Sequence, residues 1–377
     1  MALFGLQPMA FGGWLALIAY FKVELLLSEG DLAIALLGMP LALIVVLQIA
    51  SGVVSRLGPR KTFVYLLPVQ TALMIGPFLA SGVGSLFIAL ACIGGVVAFM
   101  EVALNTYAGR LEKAANTYIM SRCHGFWALG VGVGSFLTAQ LFVIGPLAAV
   151  LTISSVTAAL GMWAATQLPK LTGQDEGVPA KRQRIVDMPK ALFLIALFML
   201  LVTMVEGAMT DWASVYLTER WDRGPENAGI AVSVFAGFLA AGRFAGDYMK
   251  RKLGARGVAR LTVGFAIGGL ICATIPAGLP VLFLGFALIG LGVSIGFPLG
   301  ISAAATLSDE HEAQNIATMA MIAMSAFLLG PPLIGFVAEW LSLRVALVLL
   351  IPGLGAAFWL AQVFPERIEA EESDSLE

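Results

Sequence analysis

Long apolar runs recur along the chain, each broken by Gly, Pro or a small group of charges. Their lengths suit one element, a helix of about 20 residues that crosses a ~30 Å hydrocarbon layer. In the first half the runs cover residues 3–22, 31–54, 62–80, 86–109, 116–141 and 147–168. In the second half they cover 191–217, 226–249, 258–277, 281–304, 313–338 and 342–364. The pattern predicts an all-α integral membrane protein with twelve transmembrane helices. They divide into an N-terminal six-helix bundle over 1–168 and a C-terminal one over 191–365. A hydrophilic stretch over 169–190, with Lys181, Arg182 and Arg184, reads as a cytoplasmic linker, and residues 366–377 form an acidic tail. The first run opens at Leu3 with no basic segment before it and no evident cleavage site, so it reads as a retained helix.

Composition agrees. Of 377 residues, 59% are hydrophobic and 12% charged, with mean hydropathy +0.92. A soluble domain carries roughly a quarter of its residues as charges, so a soluble globular fold is excluded. The net charge of −2 and the scattered basic residues leave no footprint for nucleic acid. Cys92, Cys123 and Cys272 lie inside apolar runs and form no disulfide framework or metal motif. With the N-terminus in the cytoplasm, sixteen of the 22 Lys and Arg fall on that side. These include Arg56, Arg60, Lys61, Arg110, Lys113, Lys250, Arg251 and Lys252. This is the positive-inside bias, and it predicts a multi-pass protein of the inner (cytoplasmic) membrane with both termini cytoplasmic.

The halves repeat. Arg56-Leu57-Gly58-Pro59-Arg60 and Lys252-Leu253-Gly254-Ala255-Arg256 follow the second helix of each half at an offset of 196 residues, and Trp14 and Trp212 recur at nearly the same offset. Six helices duplicated in parallel form the arrangement of a two-bundle secondary transporter. The basic turn, its echo and the long central stretch resemble the major facilitator superfamily across essentially the whole chain. Five shorter segments resemble a sparsely characterised bacterial branch whose members are often labelled sugar or fucose-permease-like. They are Met100–Asn105, Ile119–Trp127, Glu206–Trp212, Gly242–Asp247 and Leu329–Pro332. The resemblance implies that Arg56, Gly58, Arg60, Arg243, Asp247, Pro331 and Pro332 serve gating. Two departures stand out. The acidic residue usual before the loop motif is replaced by Ser55 and Arg251, so a charge latch would rest on Asp247. Helix five lacks the Gly-Pro pair of drug/proton antiporters.

An ionisable side chain near the bilayer centre costs about 2.5 to 3.5 kcal/mol, so each needs a partner, a hydrated cavity or a task. Counted from the predicted helix ends, Glu101 and His124 both lie about 12 Å deep on neighbouring helices. A carboxylate and an imidazole meeting at one level would form a proton-binding pair. Gly94, Ala98, Glu101 and Asn105 share a stripe of helix four, and Ser121, His124, Ala128, Gly132 and Ser135 a stripe of helix five. Small residues in such stripes serve either a cavity or close helix packing; Glu101 tips the reading towards a cavity. Three placements are open to Arg122: neutralising Glu101, binding an anionic solute group, or snorkelling to the cytoplasmic interface.

In helix seven, Thr203, Glu206, Thr210 and Ser214 share a face, and Asp211 is either part of the site or an ordinary helix end. Trp14, Trp127 and Trp212 are candidate apolar walls. Prolines in helices ten and eleven predict kinks. The expected function is a secondary active transporter that moves a small polar organic solute by alternating access, coupled to protons through Glu101, His124 and Glu206. Trp14, Asn105, Arg122, Trp127, Thr203, Thr210 and Asp211 would hold the solute. The expected partners are the solute, protons and the lipid bilayer, with the chain a monomer and with no cofactor, metal or enzymatic role. Efflux of a metabolite or drug is the first alternative, and a non-transporting sensor with the same fold the second.

Overall fold

The computed structural model describes residues 1–115, 117, 119–169, 189–221, 224–305 and 312–366. The linker charges at 181–184, Arg223, the 309–311 loop and the tail beyond Glu366 lie outside the described residues. Among the described residues the chain is helical throughout: α1 (Ala2–Glu24), α2 (Glu29–Leu36), α3 (Gly38–Leu57), α4 (Pro59–Leu73), α5 (Val83–Ala115), α6 (Met120–Leu141) and α7 (Pro146–Thr166). The second half contributes α8 (Lys190–Trp221), α9 (Ala228–Thr274), α10 (Leu279–Val293), α11 (Gly296–Ala305), α12 (Glu312–Trp340), α13 (Leu343–Val348) and α14 (Leu350–Leu360).

Among the described residues, eleven helical stretches are long and apolar enough to cross a membrane. One of them, Pro225–Thr274, is two rods joined end to end, which makes twelve crossings. The joint is Gly254, with φ 68° and ψ 169°, and the matching turn between α3 and α4 is Gly58, with φ 78° and ψ 150°. Both lie in the left-handed region that a side chain disfavours. The 196-residue repeat is thus a repeat of backbone geometry as well as of letters. Helix two divides at Leu37 into α2 and α3, helix ten at Ser294 and Ile295 into α10 and α11, and helix twelve into α13 and α14. The break in helix ten meets the proline expectation there, while α12 runs unbroken through Pro331 and Pro332.

The first helix of each half is its axis. Leu15, Ala16, Leu17, Ile18 and Ala19 of α1 and Trp212, Ala213, Val215 and Tyr216 of α8 are buried all round, as expected of a rod surrounded by other rods. Glycines allow the closest approaches. A methyl group at Gly130 or Gly134 of α6 would fall on the carbonyl of Gly5 or Met9 of α1, and one at Gly12 on that of Val131. Small residues seat helices this way in lipid, where hydrophobic pressure between helices is absent.

The turns after α3, between α5 and α6 and at Gly254 carry Arg56, Arg60, Arg110, Lys113 and Lys250 to Lys252, and define a basic end of the molecule. There Arg256 ties down the end of the last helix. It donates from its backbone N–H to the Pro365 carbonyl (3.1 Å) and from its guanidinium to the carbonyls of Phe364 (3.0 Å) and Gln362 (3.0 Å), and it pairs with Glu366. Replacing Arg256 by Ala is expected to cost about 1 to 2 kcal/mol and lower the melting temperature in detergent by a few degrees, with Arg256→Lys intermediate. An unchanged melting temperature would show the clamp to be idle.

Candidate functional site

Two clusters of polar side chains stand where the halves meet. In the first, Glu206 of α8 pairs with Arg243 of α9 (Oε1 to Nη2, 2.8 Å), both side chains about nine-tenths buried. Arg243 also donates from Nη1 to the His124 carbonyl of α6, 3.2 Å away in the other half. A lone carboxylate in this setting would be costly; the guanidinium and its second acceptor make the cluster tolerable. In the second, Glu101 of α5 accepts from the Trp127 indole (Nε1 to Oε1, 3.0 Å) and from the Asn105 amide (3.4 Å to Oε2). Asn105 further donates to the Glu101 carbonyl at 2.9 Å.

A cavity of about 50 Å³ lies against the first cluster, lined by Glu206, Thr210, Phe11, Trp127, Phe235 and Phe327 among others. That is room for a few waters or a small group. The Trp127 ring packs at a tilt against Phe11, 6.1 Å between centroids, so one indole both lines the cavity and donates from its N–H to Glu101. Thr210 bonds to the Glu206 carbonyl one turn back (2.8 Å), and the buried Thr203 hydroxyl has no partner among the described residues. Gly207 lets Phe327 of α12 approach α8, since a β-carbon there would stand 3.2 Å from the ring.

Several expected placements are corrected. Glu101 and His124 do not meet: the His124 ring packs edge-on against Phe4 at 5.9 Å, and only its backbone carbonyl enters the site. α5 continues to Ala115 and α6 begins at Met120, so depths counted from the predicted helix ends were out of register. The residue opposite Glu101 is Trp127, about one turn deeper than His124. The helix-five stripe is largely packing: Ser135 donates to the Gly229 carbonyl (2.9 Å), and Gly132 faces the backbone of α9. Trp14 is buried and stacked on Phe21, 5.5 Å between centroids, so it belongs to the core. Arg122 is exposed near the start of α6 and does not reach Glu101. Asp211 is half-buried and has no hydrogen bond or ion pair among the described residues.

The gate charges are also redistributed. Arg56, Arg60 and Asp247 are exposed at the basic end and form no ion pair among the described residues, so the expected latch is open. At the opposite end Lys22 of α1 pairs with Glu29 of α2 (3.2 Å) and with Glu219 of α8 (2.9 Å), and Glu339 of α12 accepts from the Gly30 N–H (3.0 Å). The Lys22–Glu219 and Gly30–Glu339 links join one half to the other. Lys22 is not among the site residues expected from the sequence. The available signal was the repeat itself: shifted by about the same offset as the Trp14 and Trp212 pair, Lys22 falls beside Glu219.

Among known proteins, residues 2–279 match the family model described as Major Facilitator Superfamily. An uncharacterized MFS-type transporter of Yersinia pestis is 26% identical over 352 residues, covering 91% of this chain and 89% of that protein. Membrane protein MosC of Rhizobium meliloti is 24% identical over 367 residues, covering 97% and 88%. Among solved structures, a mutant of the nucleoside transporter NupG superposes with a TM-score of 0.77 at 13% identity, over 97% of this chain and 98% of that one. A bacterial homolog of the human lysosomal transporter Spinster, in an inward-facing and occupied conformation, superposes with a TM-score of 0.68 at 15% identity over 96% of both. At these identities the structural likeness concerns the fold alone.

Proposed function

Because the chain belongs to the major facilitator superfamily, we propose that it is a secondary active transporter that carries a small polar organic solute across the cytoplasmic membrane by alternating access, coupled to protons. The observation that carries this reading is the ionisable cluster shared by the two halves beside a central cavity, in which Glu206 and Arg243 of one half hold the His124 carbonyl of the other. A link of this kind makes the relation of the halves depend on the charge of what occupies the site.

The ends of the molecule support the cycle. The end bearing Lys22, Glu219 and Glu339 is tied across the halves, while α5 and the α10 and α11 pair pack mainly within their own halves. With the basic end in the cytoplasm, as the positive-inside bias implies, the site would be reached from that side. Rocking the halves about the site would part the Lys22 links and bring Arg56, Arg60 and Asp247 into play. Trp127, Asn105, Thr203, Thr210 and Asp211 are the side chains nearest to a solute role. Glu101 is the leading proton carrier, since its neutral form would be far easier to occlude than its ion.

Glu101→Gln preserves an acceptor for Trp127 and removes the charge. Once a stabilising solute is found by thermal-shift screening, this variant in proteoliposomes is expected to retain solute exchange but lose accumulation driven by a pH gradient. Undiminished accumulation would remove Glu101 from coupling.

A further inference from the structure

Resting on the transporter reading above, we infer that the central cavity takes the ammonium group of a monovalent organic cation, one carried on a small apolar or aromatic body. The first argument is its lining. Four aromatic rings, Phe11, Trp127, Phe235 and Phe327, line it, and among the described residues Glu206 is its one charged wall. One Glu206 oxygen is held by Arg243; the other, Oε2, makes no hydrogen bond among the described residues. Ring faces with a nearby carboxylate are what a cation with an apolar shell selects, because the ring quadrupole attracts positive charge where water is excluded. Trp127 is primed for this, since its indole N–H already donates to Glu101 and that carboxylate adds electron density to the ring.

The second argument is the balance of charge around the cavity. α8 contributes Glu206 and, further along, Asp211; α5 contributes Glu101; α9 contributes Arg243; the His124 imidazole of α6 is turned onto Phe4. Nothing of either sign comes from α1 before Lys22, from α10 and α11, from residues 313–338 of α12 or from residues 345–363. One acid therefore lines the cavity, two more lie outside its lining, and a single fixed cation answers them. The deficit suits one positive guest, either a proton or an ammonium ion, and an anionic solute would deepen it. Arg243 stands behind Glu206 and is not among the residues lining the cavity, so it balances the carboxylate and leaves the cavity face negative.

The test uses four probes that share one aromatic ring on the purified full-length protein: benzyltrimethylammonium, benzylammonium, benzyl alcohol and benzoate. Both ammonium compounds are expected to raise the melting temperature and quench tryptophan fluorescence saturably, while the alcohol and the acid do neither. Trp127→Leu is expected to weaken ammonium binding about tenfold or more. Trp127→Phe, which keeps a ring face, should recover much of that loss. A merely structural role for Trp127 would lower the stability of both variants without separating cation from alcohol. Preference for benzoate, equal binding of the alcohol, or no binding of either ammonium compound by folded wild type overturns the assignment. Should a neutral or anionic solute instead be carried in proteoliposomes, transport stands and the cation inference alone fails.

Discussion

Arg243→Ala is expected to be the most damaging change in the site. It leaves the Glu206 carboxylate buried without its partner and releases the His124 carbonyl from its donor. Removing one member of a buried pair costs about 3 to 5 kcal/mol, whereas replacing both by apolar groups of similar volume is often neutral. Arg243→Ala should therefore unfold at a markedly lower temperature in detergent, and Arg243→Met combined with Glu206→Leu should regain most of the wild-type value. The double variant should still fail to transport, which separates the stabilising part of the pair from its working part. A cycle of single and double variants with additive effects would show that the two residues are not coupled.

Gly134→Ala is the second large effect. The added methyl would fall on the Met9 carbonyl, and backbone cannot move aside as a flexible side chain can, so α1 and α6 would have to separate along their length. Overpacking of this kind costs about 1 to 3 kcal/mol or more. A clear loss of melting temperature and of monodisperse yield is expected. Gly264→Ala is the informative contrast: its position meets nothing within 4 Å, and alanine is the better helix former. It should be neutral or slightly stabilising. Equal losses at the two positions would mean that helix propensity, and not the α1–α6 seam, sets the outcome.

The twelve crossings were legible because lipid leaves the backbone no choice but internally bonded helices of fixed length, so hydropathy alone marks them. The repeat was legible too, since a left-handed glycine after a basic residue is a rare local requirement and it recurs at Gly58 and Gly254. Rotation and register were not. A membrane helix that is apolar all round carries little sign of which face meets which neighbour: Gly130 and Gly134 look no different from Gly132, yet the first two seat α1 and the third faces α9. Glu101 was singled out by its cost, but its partner Trp127 followed from where α5 ends and α6 begins, and hydropathy places such ends only to within a turn or so. Glu206 and Arg243 each stood out as ionisable residues in apolar runs. That they bind one another depends on how α8 packs against α9, which no local pattern states.

The two sets of charges that join the halves answer differently to the surroundings. Lys22 is 18% exposed and its carboxylates 26% and 33%, so their attraction is exerted partly through solvent. Dissolved ions damp such forces over about 8 Å at physiological ionic strength and more steeply in brine. The Glu206–Arg243 pair is sheltered from them. Salt in the solution that bathes the Lys22 face therefore weakens that closure while leaving the central link untouched.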